Sequence, residues 1–353
     1  TNEYPFLIDE DGFSVLPVTS LGLQHEVSNE RISSGVPRLD TMLGGEGFYR
    51  GTTILVSGTA GTGKTSLAAH FVDAACRRGE RSLYFSFEES PGQLMRNMRS
   101  IGLNLEQWSK KNLLQFHSSR ATFYGLEMHL AIIHRIVENF QPKIVVVDPV
   151  GSLIQAGNMR DAHTMLIRLI DFLKQRGVTA FLTNLSSGGE ALEKTNVEIS
   201  SIVDTWLFTR DIELNGERNR ALYVLKSRGM AHSNQLREFL LTSKGVDLLD
   251  AYVGPEGVLT GSSRLSQETR EKAAALVRQQ EAERKERERA RRREALEARI
   301  AALRKEFEVE EAEDATSEEQ NALREKLMAS DREAMARSRK ADVTNGTSRK
   351  RKE

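Results

Sequence analysis

Between Thr52 and Trp206, short and continuously apolar runs alternate with segments whose apolar residues recur every three or four positions. The runs TTILVSG from Thr52, SLYFSF from Ser82, PKIVVVD from Pro142 and VTAFLTN from Val178 predict strands. PKIVVVD has no polar alternation, which predicts a central strand covered on both faces. The intervening segments predict helices: Ser66 to Arg78, PGQLMRNMRSIG opened by Pro91, and AHTMLIRLIDFLKQRG ending at Gly177. Strand and helix in alternation predict an α/β fold with a mostly parallel central sheet and right-handed crossovers.

Outside this block the pattern changes. TWLFTRDIELNGERNRALYVLKSRG predicts two strands joined at Asn215-Gly216, since Asn-Gly suits a tight hairpin, and LREFLLTSKGVDLLD predicts a further strand and turn. The sheet is therefore expected to end in an antiparallel extension. Residues 1–30 predict an irregular connector with one hairpin, and 31–251 the main domain. Residues 252–263, with three glycines, predict a loop. From Leu265 to about Glu311 neither Gly nor Pro occurs, so a helix of roughly 70 Å is expected, with a second short helix around Ala322 to Ala336. Residues 264–336 form a helical extension in this reading, and 337–353 a disordered tail.

Leu296, Ile300, Leu303 and Phe307 are spaced 4, 3 and 4, an a/d seam that predicts a coiled coil. Upstream, RKERERARRRE supplies no apolar seam, so a solvated single helix held by i,i+4 charge pairs is the competing reading. The 353 residues carry 50 basic and 50 acidic side chains, a formal net charge of zero that argues against global steering toward nucleic acid or acidic membranes. The single cysteine, Cys76, excludes an intramolecular disulfide and fits a reducing cytosol. No apolar run approaches the ~20 residues of a membrane span.

The chemistry begins at GTAGTGKT, from Gly58 to Thr65, which fits G-x-x-x-x-G-K-[ST] between an apolar strand and a helix. Gly58, Thr59, Ala60, Gly61, Thr62, Gly63, Lys64, Thr65 and Ser66 are the expected ATP/ADP cradle. Backbone N–H groups face the β-phosphate at the helix N-terminus, Lys64 reaches the β- and γ-phosphates, and the Thr65 hydroxyl takes Mg²⁺. Asp148, ending the most apolar strand, is the expected second Mg²⁺ residue. Glu88 and Glu89 end the strand after the P-loop helix, where a carboxylate can orient and deprotonate a water or hydroxyl, and Glu88 is also a candidate near the metal. Thr183 and Asn184 end another strand and are candidate γ-phosphate sensors or mere cap residues.

Several stretches then carry a resemblance. SSGVPRLDTMLGGEGFYRGTTILVSGTAGTGKTSLAAHF, FSFEESPGQLMRNMRSIG, TNVEISSIVDTW, RALYVLKSRG and LREFLLTSKG resemble the second ATPase domain of the KaiC circadian-clock family, which is RecA-like. The resemblance covers about residues 1–260, with NEYPFLIDEDGFSVLPVTSLGL similar to the end of the family's first domain and its linker. It implies a serine autokinase, autophosphatase and ATPase of a circadian-type or hourglass timer, assembled as a homo-hexamer with ATP between subunits. It implies that Ser200 and Ser201 are the phosphoacceptors, with Thr195 auxiliary, and that Glu88 is the base. It further implies that Lys226 and Arg228 reach a neighbour's γ-phosphate, and that Arg220 and His232 have nucleotide-side counterparts. Lys226 and Arg228, two apart on a strand, point the same way, and a strand at the far edge would keep them from their own P-loop.

Three departures from the family stand out. Ser201 replaces a threonine, Pro149 follows the Walker B Asp148, and the long helix has no counterpart in the short tail of familiar members. The family's activating partner docks on that tail, so a kinase tuned by its own associated helices is expected in preference to one that needs a KaiA-like activator, with a KaiB-like regulator as a further candidate partner. The helices are expected to bundle within one ring or to join two rings as a dodecamer. Two other classes stay open: a RecA-like DNA-recombination or repair ATPase using the basic helix, and an ATP-assembled signalling scaffold.

Overall fold

The protein is described from a computed structural model covering residues 6–9, 12–15, 27–186, 199–214, 216–254 and 257–339. A short antiparallel hairpin, β1 (Phe6–Asp9) and β2 (Gly12–Val15), is followed by β3 (Arg31–Ile32), α1 (Pro37–Met42) and β4 (Phe48–Tyr49). The alternating block contains β5 (Thr53–Gly58), α2 (Lys64–Arg77), β6 (Ser82–Ser86), α3 (Pro91–Ser100), α4 (Glu106–Lys110) and β7 (Leu114–Ser118). It continues through α5 (Leu126–Phe140), β8 (Ile144–Asp148), α6 (Met159–Gln175) and β9 (Thr179–Leu185). Then come β10 (Thr205–Leu214), β11 (Glu217–Ser227), β12 (Arg237–Thr242), β13 (Gly245–Asp250), β14 (Tyr252–Gly254), β15 (Gly257–Leu259) and α7 (Gly261–Ser338).

The central sheet has the order β13-β12-β11-β10-β5-β9-β8-β6-β7. From β10 to β7 every pair is parallel, and β10 to β13 extend it antiparallel. All five residues of β8 are buried, as its unbroken apolar run requires. One face is covered by α2, whose Phe71 stacks on Phe181 of β9. The other is covered by α5 and α6, through residues such as Ile133 and Leu169. Local chemistry fixes the helix starts: Ser90 and Gln93 close a capping box at α3, and Asn158 accepts from the Asp161 N–H at α6. No described helix is long and apolar enough to cross a membrane.

Two expectations differ from what forms. The stretch 252–263 holds the β14–β15 hairpin and the first turn of α7, because paired strands satisfy backbone groups that a loop leaves to water. The two expected C-terminal helices are one helix of 78 residues, a rise of about 117 Å. Nothing between Glu311 and Ala322 breaks the i→i−4 ladder, and the Thr316 hydroxyl donates back to the Ala312 carbonyl. The chain divides into two compact units, Thr1–Glu268 and Thr269–Glu353. In the second, Leu296, Ile300, Leu303 and Phe307 are all more than half exposed, and ion pairs such as Arg293–Glu297 run along the helix. In the first, the start of α7 is anchored: Gly261 and Ser262 N–H groups donate to Glu238 and Glu217, and Arg264 pairs with buried Glu238.

Candidate functional site

In a parallel sheet all strands point their C-terminal ends the same way, so Gly58, Ser86, Asp148 and Leu185 come to one edge. Strand order reverses around β5, whose neighbours are β9 and β10. That is where an open α/β sheet binds ligands.

The P-loop runs from Gly58 through Thr59, Ala60, Gly61 and Thr62 to Gly63, whose φ of +95° makes it the left-handed N-cap of α2. The Thr62 hydroxyl bonds Thr209 of β10 at 2.7 Å, tying the loop to the sheet. Lys64 Nζ donates to the Gly58 and Thr59 carbonyls at 2.8 and 2.6 Å. Thr65 and buried Ser66 follow on the first turn of α2. Arg220 joins them from β11, its Nε donating to the Gly61 carbonyl at 2.9 Å.

Asp148 lies beside this loop, 8% exposed. One of its oxygens accepts the Tyr84 hydroxyl at 2.6 Å, and the other accepts the Thr183 hydroxyl. Burial, then the Asp148 charge, hold the Tyr84 phenol protonated well above the usual range. A carboxylate offers about four acceptor sites, so Asp148 keeps about two for further donors. Glu88 is exposed at the end of β6 and accepts the Ser152 hydroxyl at 3.1 Å. Glu89 turns the other way, accepting the Asn97 amide of α3 at 3.1 Å.

Burial pushes the Lys64 ammonium down to about 8, and Asp148, Glu88 and Asp211 partly offset it. The unfolded chain therefore binds one proton more than the fold between about pH 8 and the ordinary lysine range. Stability of the nucleotide-free protein should rise with pH through that window as the buried charge is relieved. Nucleotide affinity should move oppositely, weakening by up to about tenfold per pH unit above 8, because only charged Lys64 attracts phosphate. Titration calorimetry with ADP at pH 7 and 9, beside thermal melts, checks both signs.

The remaining candidates gather elsewhere. The register sets Thr205 opposite Ile54 and Thr209 opposite Gly58, so β10 begins about 13 Å from the P-loop end of the sheet. Ser201, exposed in the 199–201 turn, precedes even that start. Its carbonyl accepts Arg228 Nη2 at 2.7 Å and Lys226 Nζ at 3.4 Å. The segment is pinned by Ile199 and Val203, both fully buried, and by Asp204, which takes the Thr53 N–H and Lys174. His232 is exposed in the loop after β11, at this same end, where the adjacent Ser233 N–H bonds the Met42 carbonyl. The side chain of Ser200 and all of Thr195 lie outside the described residues.

This corrects the expected reason for the separation of Lys226 and Arg228 from their own P-loop. Strand β11 is third from the sheet edge, not at it. Distance arises along the strand: Lys226 pairs with Trp206 at one end, while Arg220 pairs with Asp211 at the other. Sequence reading missed Tyr84, Ser152 and the bond from Trp206 Nε1 to Ser57 Oγ at 2.7 Å. Only fold neighbours reveal these, since none belongs to a recognisable motif.

The family model described as "ATPase: KaiC" matches residues 32–252. The circadian clock protein KaiC2 of Synechocystis sp. is 55% identical over 304 residues, covering 86% of this chain and 54% of that protein. The circadian clock oscillator proteins KaiC of Synechococcus elongatus and of Thermostichus vulcanus are each 36% identical, over 280 and 279 residues, covering 78% of this chain and 53% of theirs. The chain thus spans about half the length of these curated relatives. A P-loop, a tethered Walker B carboxylate and a strand-end glutamate on one RecA-like sheet edge agree with these matches: the chain belongs to the KaiC family.

Proposed function

We propose that the chain is an ATP-dependent serine autokinase, autophosphatase and ATPase of a circadian-type or hourglass timer, transferring phosphate to Ser200 and Ser201 across a subunit interface. The observation that carries this is the separation of acceptor and P-loop at opposite ends of one sheet. A subunit in that geometry meets a neighbour's P-loop more readily than its own. The acceptor turn is also held by two cations, Lys226 and Arg228, that are well placed to meet a neighbour's nucleotide.

The acceptor Oγ attacks the γ-phosphorus, the bond from that phosphorus to the β–γ bridging oxygen breaks, and ADP leaves. The hydroxyl proton passes to Glu88, which Ser152 orients. Lys64 and Arg220 serve the nucleotide of their own subunit, while Lys226, Arg228 and His232 serve the neighbour's. Glu89 acts on positioning, through Asn97 and α3. Thr65 and Asp148 would hold Mg²⁺, largely through water, and the metal would neutralise charge developing on the phosphates. Return of phosphate to ADP would use the same groups in reverse. Phosphosite mass spectrometry before and after incubation with ATP and Mg²⁺ tests the reading: phosphate on Ser200 or Ser201 supports it, and phosphate solely elsewhere rejects it.

Assembly follows from α7. Arg284 to Arg293 hold seven basic and two acidic residues, and Glu306 to Glu319 hold eight acidic and none basic. Two copies running antiparallel about Ile300 set basic against acidic and bury Leu296, Ile300, Leu303 and Phe307; parallel copies would set like charges together. The antiparallel pair suits two hexamers joined as a dodecamer, with KaiB-like partners acting elsewhere. Leu303→Glu should halve the assembly's mass in analytical ultracentrifugation; an unchanged mass would remove α7 from the contact.

A further inference from the structure

Asn184 ends β9 fully buried, yet among the described residues neither its Oδ1 nor its Nδ2 has a hydrogen-bond partner. An unpaired carboxamide in a core is costly, and a residue of similar volume without polar atoms would avoid the cost. Its surroundings are specific. In register Asn184 lies beside Ser57, the last residue before the P-loop glycine, and both face the α5–α6 side, as Leu55 and Leu182 do. Ser57 is bonded to Trp206. Over Asn184 packs the 150–156 turn, so closely that a Cβ on Gly151 would stand 2.6 Å from Oδ1. The next residue of that turn, Ser152, donates to Glu88. Thr183, one step back, faces the opposite side and holds Asp148. Asn184 thus stands between two polar pairs, Trp206–Ser57 on the P-loop strand and Ser152–Glu88 at the base.

We propose that Asn184 is a positioning residue for phosphoryl transfer: its amide binds one buried water beneath the 150–156 turn, and the pair ties the P-loop strand to the turn that orients Glu88. Water fits the chemistry of the place, since it donates and accepts and so satisfies both halves of the carboxamide. Gly151 suits such a site because a side chain there would press on the amide. With the tie intact Ser152 keeps one position, and Glu88 presents its carboxylate to the proton it must take. Without it the turn is packed but not keyed, and the base loses alignment while nucleotide still binds.

The inference rests on Glu88 being the base, and the test separates the two. ATP turnover and thermal midpoint are measured for the full chain and for Asn184→Leu, Asn184→Ala and Glu88→Gln. A merely structural Asn184 ranks Leu above Ala in both stability and rate, because Leu fills the space and Ala leaves a hole. A water-binding Asn184 gives crossed orders. Leu should match or exceed Ala in thermal midpoint, yet turn over ATP at least tenfold slower than the native chain with KM within twofold. Ala, with room for a second water, should recover part of kcat. Parallel orders, or a native kcat in Asn184→Leu, overturn the proposal. A native rate in Glu88→Gln instead overturns the reading of the base, whatever the Asn184 variants do.

Discussion

Glu88→Gln is expected to reduce phosphate transfer to Ser200 and Ser201 by at least about a hundredfold while leaving ADP affinity within about twofold. The carboxamide has the shape of the carboxylate and still accepts from Ser152 through its carbonyl oxygen, so the fold has no reason to change. What it loses is the capacity to take the acceptor's proton. The glutamate is exposed at the end of β6, and its replacement breaks no core contact. The same variant tests the direction of transfer. Mixed with subunits carrying Ser200→Ala and Ser201→Ala, Glu88→Gln subunits should become phosphorylated, because their intact serines meet a neighbour's intact base. Quantitative mass spectrometry, with the two chains distinguished by isotope, reads this directly. No label on the Glu88→Gln chain would mean that transfer stays within one subunit.

The second large effect is expected at Gly63→Ala. Its φ of +95° costs a side-chain-bearing residue roughly 1–2 kcal/mol. A Cβ there would also stand 2.6 Å from the Phe239 ring, which is 1% exposed and has nowhere to go. Overpacking of that kind adds about 1–3 kcal/mol. The sum, about 2–5 kcal/mol, should appear as a lower denaturation midpoint at unchanged m-value. Binding suffers separately, since the glycine opens α2 and aims the N–H groups that meet phosphate. Calorimetry should detect no ADP binding at concentrations that saturate the native chain. Phe239→Leu in the same background relieves the contact and should recover stability more than binding, because the backbone strain remains. Native stability in Gly63→Ala would show that β12 gives way more easily than its burial suggests.

Much of this chain was legible without a fold. The P-loop, Asp148 and Glu88 each sit at the end of a run whose period identifies a strand, and a strand end is a place of known chemistry. The continuous apolar run of β8 required two covered faces, and Asn-Gly required a hairpin; Gly216 has the positive φ such a turn needs, while Asn215 lies outside the described residues. The 4, 3, 4 spacing of Leu296, Ile300, Leu303 and Phe307 was visible too, but all four are more than half exposed here, and whether a second helix covers them is a matter of assembly.

Tertiary structure decided what depends on register and on depth. Lys226 and Arg220 share one strand and one charge. Only the pairing of β11 with β10 sends Arg220 to the P-loop and Lys226 to the 199–201 turn, since six residues of extended chain span about 20 Å. Glu88 and Glu89 are neighbours with the same chemistry, and the turn after β6 sends one to Ser152 and the other to Asn97. Asn184 looked like either a sensor or a cap. Its burial beneath Gly151, without a protein partner among the described residues, sets it apart, and sequence carries no signal of it because solvent exclusion is a property of the packed chain. Local sequence determined which groups are able to react, because strand and loop identity are short-range properties. Long-range strand order determined which of them meet.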